Sequence, residues 1–143
     1  KQPRFPLCVR NRRARFELGQ AGVNGYGTEA RILPAASSSV SANNLSFVCQ
    51  AFPGQNPGIL IAGTSQAQVP FGDGVRCVGG GILRLGARSV AIGRDVAPNF
   101  AAGTGLQVTP GTTFDFQVFY RDLTLPGGAG FNLTDAVAIP LTP

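Results

Sequence analysis

Seven carboxylates, Glu17, Glu29, Asp73, Asp95, Asp115, Asp122 and Asp135, are spread singly along 143 residues. Glycoside hydrolysis needs two of them convergent on one bond, and their spacing marks no such pair. Histidine is absent, which removes the imidazole that activates a serine or cysteine nucleophile. Lys1 is the single lysine, so a serine–lysine pair would have to use a terminal arm. The glycine-rich stretches GYGTEA (25–30) and GGGILRLG (79–86) lack both the Gly-Lys-Ser/Thr ending and the strand-to-helix setting of a phosphate cradle, and read as turns. The expectation is a non-enzymatic protein without a cofactor.

Calcium takes oxygen ligands, and Asp73, Asp122, Asn132 and Asp135 could supply them. Their spacing matches no calcium loop, so turns in which Asp and Asn bond their own backbone are the competing reading, and no metal site is assigned. Cys8, Cys49 and Cys77 are too few and too widely spaced for zinc, which wants paired ligands. One disulfide and one remaining thiol is the simplest account in an oxidising compartment. Cys49 sits in an alternating run and Cys77 follows a turn, so Cys49–Cys77 fits, and Cys8–Cys77 fits nearly as well. Asn44-Leu45-Ser46 and Asn132-Leu133-Thr134 are glycosylation sequons.

The elements that must carry these residues are strands. Hydrophobic residues make up 43% and charged residues 13%, with 20 Gly and 11 Pro, a weakly charged and turn-rich composition. A chain of this length buries a real core in one domain. Helical periodicity is almost absent, and short alternating or apolar runs recur at sandwich-like spacing. Strands are expected near 5–10, 14–18, 29–33, 38–42, 45–52, 58–63, 75–78, 81–85, 88–92, 105–109, 113–121 and 133–140. In TFDFQVFYRD (113–122), Phe114, Phe116, Val118 and Tyr120 share one face while Asp115, Gln117, Phe119 and Arg121 share the other. Leu45, Phe47, Cys49 and Ala51 alternate in the same way. No apolar run approaches the roughly 18 residues of a membrane helix, so membrane insertion is not expected.

FYRDLTLPGGAGFNLTD (119–135) reads as the closing hairpin. Tyr120 ends the aromatic core face, Pro126-Gly127-Gly128 turn the chain, and Phe131 and Leu133 re-enter the core. Arg121 and Asp135 are expected to pair across this hairpin, with Asn132 or Asp122 capping the loop backbone.

Charge is concentrated at the start. Residues 1–15 hold Lys1, Arg4, Arg10, Arg12, Arg13 and Arg15 with no acid, whereas 16–143 hold six arginines against seven acids. The net charge of +5 therefore belongs to this arm. In KQPRFPLCVR, Phe5, Leu7 and Val9 alternate with Arg4, Pro6, Cys8 and Arg10, the pattern of a segment that could add a strand to a neighbour's sheet edge. Pro3 and Pro6 fit only at an edge or beyond one. A basic arm also suits an acidic surface. Nucleic acid is not expected, because a nucleic-acid module carries its charge across a folded face with aromatics interleaved. The chain opens at Lys1 without methionine, as a processed chain or a fragment would.

The runs SVSANNLSF (39–47), PGQNPGILIAG (53–63), QVPFGDGVRCVGGGILRL (68–85) and FDFQVFYRDLTLPGGAGFNLTDAVAI (114–139) resemble a domain found near the C-termini of large secreted proteins of planctomycete and myxobacterial type. There an extended strand, a "PFG-G-CV" turn and a "YRD…FNLSDA" ending recur in this order, and the match covers about residues 24–143. The resemblance implies an exported β-sandwich attached to something larger, with no catalytic residues to carry over. The family often places a cysteine shortly before the match to Asn24, whereas Cys8 lies sixteen residues earlier.

These readings combine into an all-β, antiparallel sandwich of immunoglobulin-like or jelly-roll-like type, with a basic arm at 1–23 serving as an exchanged strand and a single domain at 24–143. The expected function is structural: a secreted or cell-surface subunit of a filament, layer or appendage that assembles with copies of itself through the arm. The alternative is a module that binds carbohydrate or another surface, for which Phe119 and Tyr26 are the exposed aromatic candidates.

Overall fold

The computed structural model describes residues 23–90, 93, 95–99 and 108–143, with the side chains of 86–89 outside that description. Among these residues the fold is all-β, with antiparallel strand pairing and no helix. The strands are β1 (Arg31–Ala35), β2 (Ser46–Gln50), β3 (Asn56–Gly63), β4 (Ser65–Phe71), β5 (Gly74–Gly79), β6 (Leu83–Val90), β7 (Asp95–Val96), β8 (Thr113–Arg121) and β9 (Phe131–Pro140). They form a three-stranded sheet β1-β2-β7, a four-stranded sheet β6-β3-β8-β9 and a separate hairpin β4-β5.

The four-stranded sheet is the centre of the molecule, because both of its faces carry apolar side chains. Phe114, Phe116, Val118 and Tyr120 of β8 face inward as their alternation predicts, and pack with Ile32, Phe47 and Cys49 of the opposite sheet. Leu60, Leu85, Val137 and Ile139 complete this core. The rings interlock: Phe47 and Phe116 have centroids 5.0 Å apart, and Phe52 meets Tyr120 edge-on at 5.0 Å, arrangements that add to area burial.

On the other face, the β4-β5 hairpin covers half of the sheet. Val75 and Cys77 press on Ala136 and Ala138, while Gln117 supplies the polar connection. Its Nε2 donates to Val75 O at 3.0 Å and Thr134 O at 2.8 Å, and its Oε1 accepts from Cys77 N at 3.0 Å. A fully buried amide is tolerable because its bonding capacity is so largely used.

Two features of the hairpin β8-β9 explain departures from expectation. Gln117 pairs with Ala136 but Phe119 pairs with Leu133, so β9 carries one extra residue, a bulge opposite Val118. Thr134 Oγ1 repairs the ladder there, accepting from Val118 N at 3.0 Å and donating to Asp135 O at 2.7 Å. The bulge also directs Asp135 away from its expected partner: Oδ1 accepts from Ile32 N of β1 at 2.9 Å, and the residue is buried. Arg121 instead stands opposite Phe131 and is exposed. The Arg121–Asp135 pair is thus replaced by a carboxylate that ties the two sheets together.

Other elements shift similarly. The run expected as a strand at 38–42 is a turn, in which Ser39 Oγ accepts from Ala42 N at 3.2 Å and Asn43 N donates to Ser39 O at 3.2 Å; serine hydroxyls compete locally with a ladder. The two short strands expected at 81–85 and 88–92 are one strand, β6, carrying an irregularity opposite Ile59–Ile61. β4, nearly all exposed, and the two-residue β7 were not foreseen. The strands expected at 5–10 and 14–18 lie outside the described residues, as do residues 105–107 of the one expected at 105–109.

Candidate functional site

The half of the outer face that the β4-β5 hairpin leaves uncovered carries a different set of residues. Phe71 ends β4, Phe119 lies on β8 and Phe131 begins β9. Their rings form a closed triad, with centroids 5.6 Å apart for Phe71–Phe119, 5.2 Å for Phe71–Phe131 and 5.1 Å for Phe119–Phe131, each edge to face. The backbone holds this triad from several sides. Asp73 N donates to Phe131 O at 3.0 Å, and Gly72, at φ 57°, turns the chain directly against the Phe131 ring, where a side chain would collide. All three rings are partly buried.

Two shallow depressions flank Phe119 and share Ile59. One is walled by Pro57, Gly58, Arg121, Leu123 and Phe131. The other is walled by Ile61, Phe71, Arg76, Ile82 and Arg84. Leu123 is the most exposed large apolar residue described, at 72%. The floor is thus aromatic and aliphatic, with three arginines at its rim.

Those arginines have no carboxylate partners among the described residues, where the ion pair present is Arg31–Glu29 at 3.6 Å. Arg76 lies over the Phe71 ring at 5.9 Å, a cation–π contact, yet its Nε is buried without a hydrogen-bond partner. The acids are engaged elsewhere. Asp115, Asp122 and Asp135 are buried, and Asp73 Oδ1 accepts from Ala129 N at 2.9 Å. Among the described residues no carboxylate lines either depression.

The remaining expected residues are structural. Asp122 caps the loop, accepting at Oδ2 from Gly25 N at 3.1 Å and at Oδ1 from the Thr124 hydroxyl at 2.7 Å. Asn132 donates to Val23 O at 3.1 Å and accepts from Leu133 N at 2.8 Å. Being fully buried, Asn132 has no room for a glycan, whereas Asn44 is exposed and holds Ser37 N at 3.2 Å. The four oxygen-bearing side chains weighed for calcium therefore serve as backbone caps, and among the described residues no cluster of acids, cysteines or histidines could hold a metal. Asn24 is a cap that the sequence reading missed: its Oδ1 accepts from Tyr26 N and Thr28 N at 3.1 and 3.2 Å. The Asn-x-Tyr-x-Thr spacing was the available signal.

Tyr120 lies in the inner core with a hydroxyl that has no partner of good geometry. Burial raises its phenol well above the ordinary value; Asp122 and Asp73 add to the effect, and the nearby Asn24 side chain opposes it. Tyr26 is 63% exposed on the 24–28 turn and lines neither depression.

Cys49 carries a thiol in the inner core, among Ile32 and Phe47, while Cys77 belongs to the separate cluster beneath the hairpin. The Cys49–Cys77 pairing is thereby corrected: the central sheet lies between the two clusters. The alternative Cys8–Cys77 pairing falls partly outside the described residues. Cys8 lies outside them, together with Arg4, Phe5, Leu7, Val9, Arg10, Arg12 and Arg13 of the arm. Comparison with models of protein families, with curated proteins and with solved structures finds no match to this chain.

Proposed function

We propose that the protein is a non-enzymatic binding module of a secreted protein, attaching to a glycan surface through the open half of its outer face. One observation carries this reading: the partly buried Phe71–Phe119–Phe131 triad lies between two depressions, with arginines at the rim that no described acid neutralises. Depressions with apolar walls and a few convergent polar groups are the usual form of a ligand site. The use of Asp73, Asp122 and Asp135 as backbone caps supports a non-enzymatic role. Binding to a glycan array that is lost in Phe119→Ala, with the variant still folded, is the expected result. An array with no signal for the wild type overturns the reading.

Assembly remains as a second reading, favoured by β4. This strand pairs only with β5 among the described residues and presents Ser65, Gln66, Gln68, Val69 and Pro70 to solvent, an edge that could accept a strand. On this reading the arm at 1–23 supplies that strand, and Cys8, the remaining cysteine in the sequence, bonds Cys77 and fixes the arm beside β5. Deleting residues 1–12 then abolishes assembly; unchanged particles by electron microscopy would rule it out.

A further inference from the structure

We propose that the ligand of this face is an acidic polysaccharide, a linear chain of sugars bearing carboxylate or sulfate groups; this rests on the binding reading above. The argument is charge complementarity. Arg76 and Arg84 stand at one depression and Arg121 at the other, with Phe119 between them. A sugar ring stacked on the Phe119 floor would present its anionic substituents toward arginines on both sides, where the guanidinium fork matches carboxylate and sulfate oxygens. Arg76 lies over the Phe71 ring at 5.9 Å, which holds its guanidinium beside the Phe119 floor.

Nucleic acid fits less well. Three rim arginines reach fewer phosphates than the roughly 6–10 contacts of a typical binder. The triad rings also meet edge to face as one continuous wall, not as separate platforms for successive bases. An acidic peptide would satisfy the arginines but has no flat apolar face for Phe119.

Affinity electrophoresis of the full chain through gels containing polygalacturonate, a sulfated glycan, neutral dextran, polyglutamate or single-stranded DNA tests the assignment. Retardation by the two acidic glycans and not by dextran is expected, weakening roughly 20-fold between about 50 and about 200 mM salt if three contacts release counterions. Arg84→Gln and Arg121→Gln should each bind about tenfold more weakly. Arg76→Lys, which keeps the charge but removes the guanidinium fork, should do the same while the melting temperature holds. Equal retardation by dextran that depends on Phe119 would overturn the acidic assignment and leave the binding module standing. Stronger retardation by polyglutamate or DNA would overturn it in favour of that partner, and no retardation by any polymer would overturn both.

Discussion

The two faces of the central sheet are built from the same strands and have opposite fates. The inner face of β8 carries Phe114, Phe116, Val118 and Tyr120, all buried against the β1-β2-β7 sheet. The outer face carries Gln117, sealed beneath the β4-β5 hairpin, then Phe119, which the hairpin meets only through the Phe71 ring, and then exposed Arg121. Both faces hold aromatic clusters of similar spacing. What separates them is a lid of limited extent: β5 covers Ala136 and Ala138, whereas Phe71 at the end of β4 forms only a wall. Aromatic content alone does not make a core, since it depends on whether a second layer arrives.

Paired substitutions test that contrast most strongly. Phe116→Ala should cost about 4 kcal/mol, because a fully buried ring leaves a cavity among packed neighbours. Phe119→Ala should cost about 1–2 kcal/mol, mainly its two edge-to-face contacts, while removing ligand binding. Urea titration of both variants measures the gap, and equal costs would erase the distinction between faces.

Gln117→Leu probes the covered half of the outer face. It strands Val75 O, Thr134 O and Cys77 N, and about 3 kcal/mol of lost stability is expected. Amide exchange at Cys77 should accelerate at the same time; unchanged exchange would mean that the hairpin is held by apolar contact alone.

Tyr120 gives a smaller, pH-dependent effect on the inner face. Its folded phenol holds its proton beyond the ordinary value of 10.0, so its contribution is intact below about pH 10 and declines above it as the unfolded chain ionises. Tyr120→Phe should therefore leave stability nearly unchanged at neutral pH and lose less of it than wild type above about pH 10, as followed by chemical denaturation across that range.

The smallest effect is expected for Arg121→Ala. An exposed arginine without an ion pair should change stability by no more than about 0.5 kcal/mol. A larger drop in melting temperature would restore the salt bridge that the hairpin register now excludes.

The inner face was legible in the sequence because period-2 alternation over 113–121 reports which side chains share a face. The end of that strand coincides with the expected one. Asp135 was not legible, since one extra residue in β9 reverses its side, and a bulge leaves no mark in hydrophobic pattern. β4 was missed for a related reason: SQAQVPF is exposed almost throughout and has no apolar face to alternate. Phe119 was legible as an aromatic on the outer face, though it is partly buried, and its assembly with Phe71 and Phe131 joins residues from three strands, a meeting that no local spacing encodes. The caps were only half readable: Asp122 could be expected to hold a loop, yet its partner Gly25 lies 97 positions away.

Methyl-labelled isoleucine provides the most direct test of the open face. Ile59, Ile61 and Ile82 belong to the outer cluster or its margin, while Ile32 and Ile139 lie in the inner core. Titration with polygalacturonate oligomers should shift the methyl resonances of Ile59, Ile61 and Ile82 and leave those of Ile32 and Ile139 in place. Shifts confined to the inner pair, or none at saturating oligomer, would contradict the account.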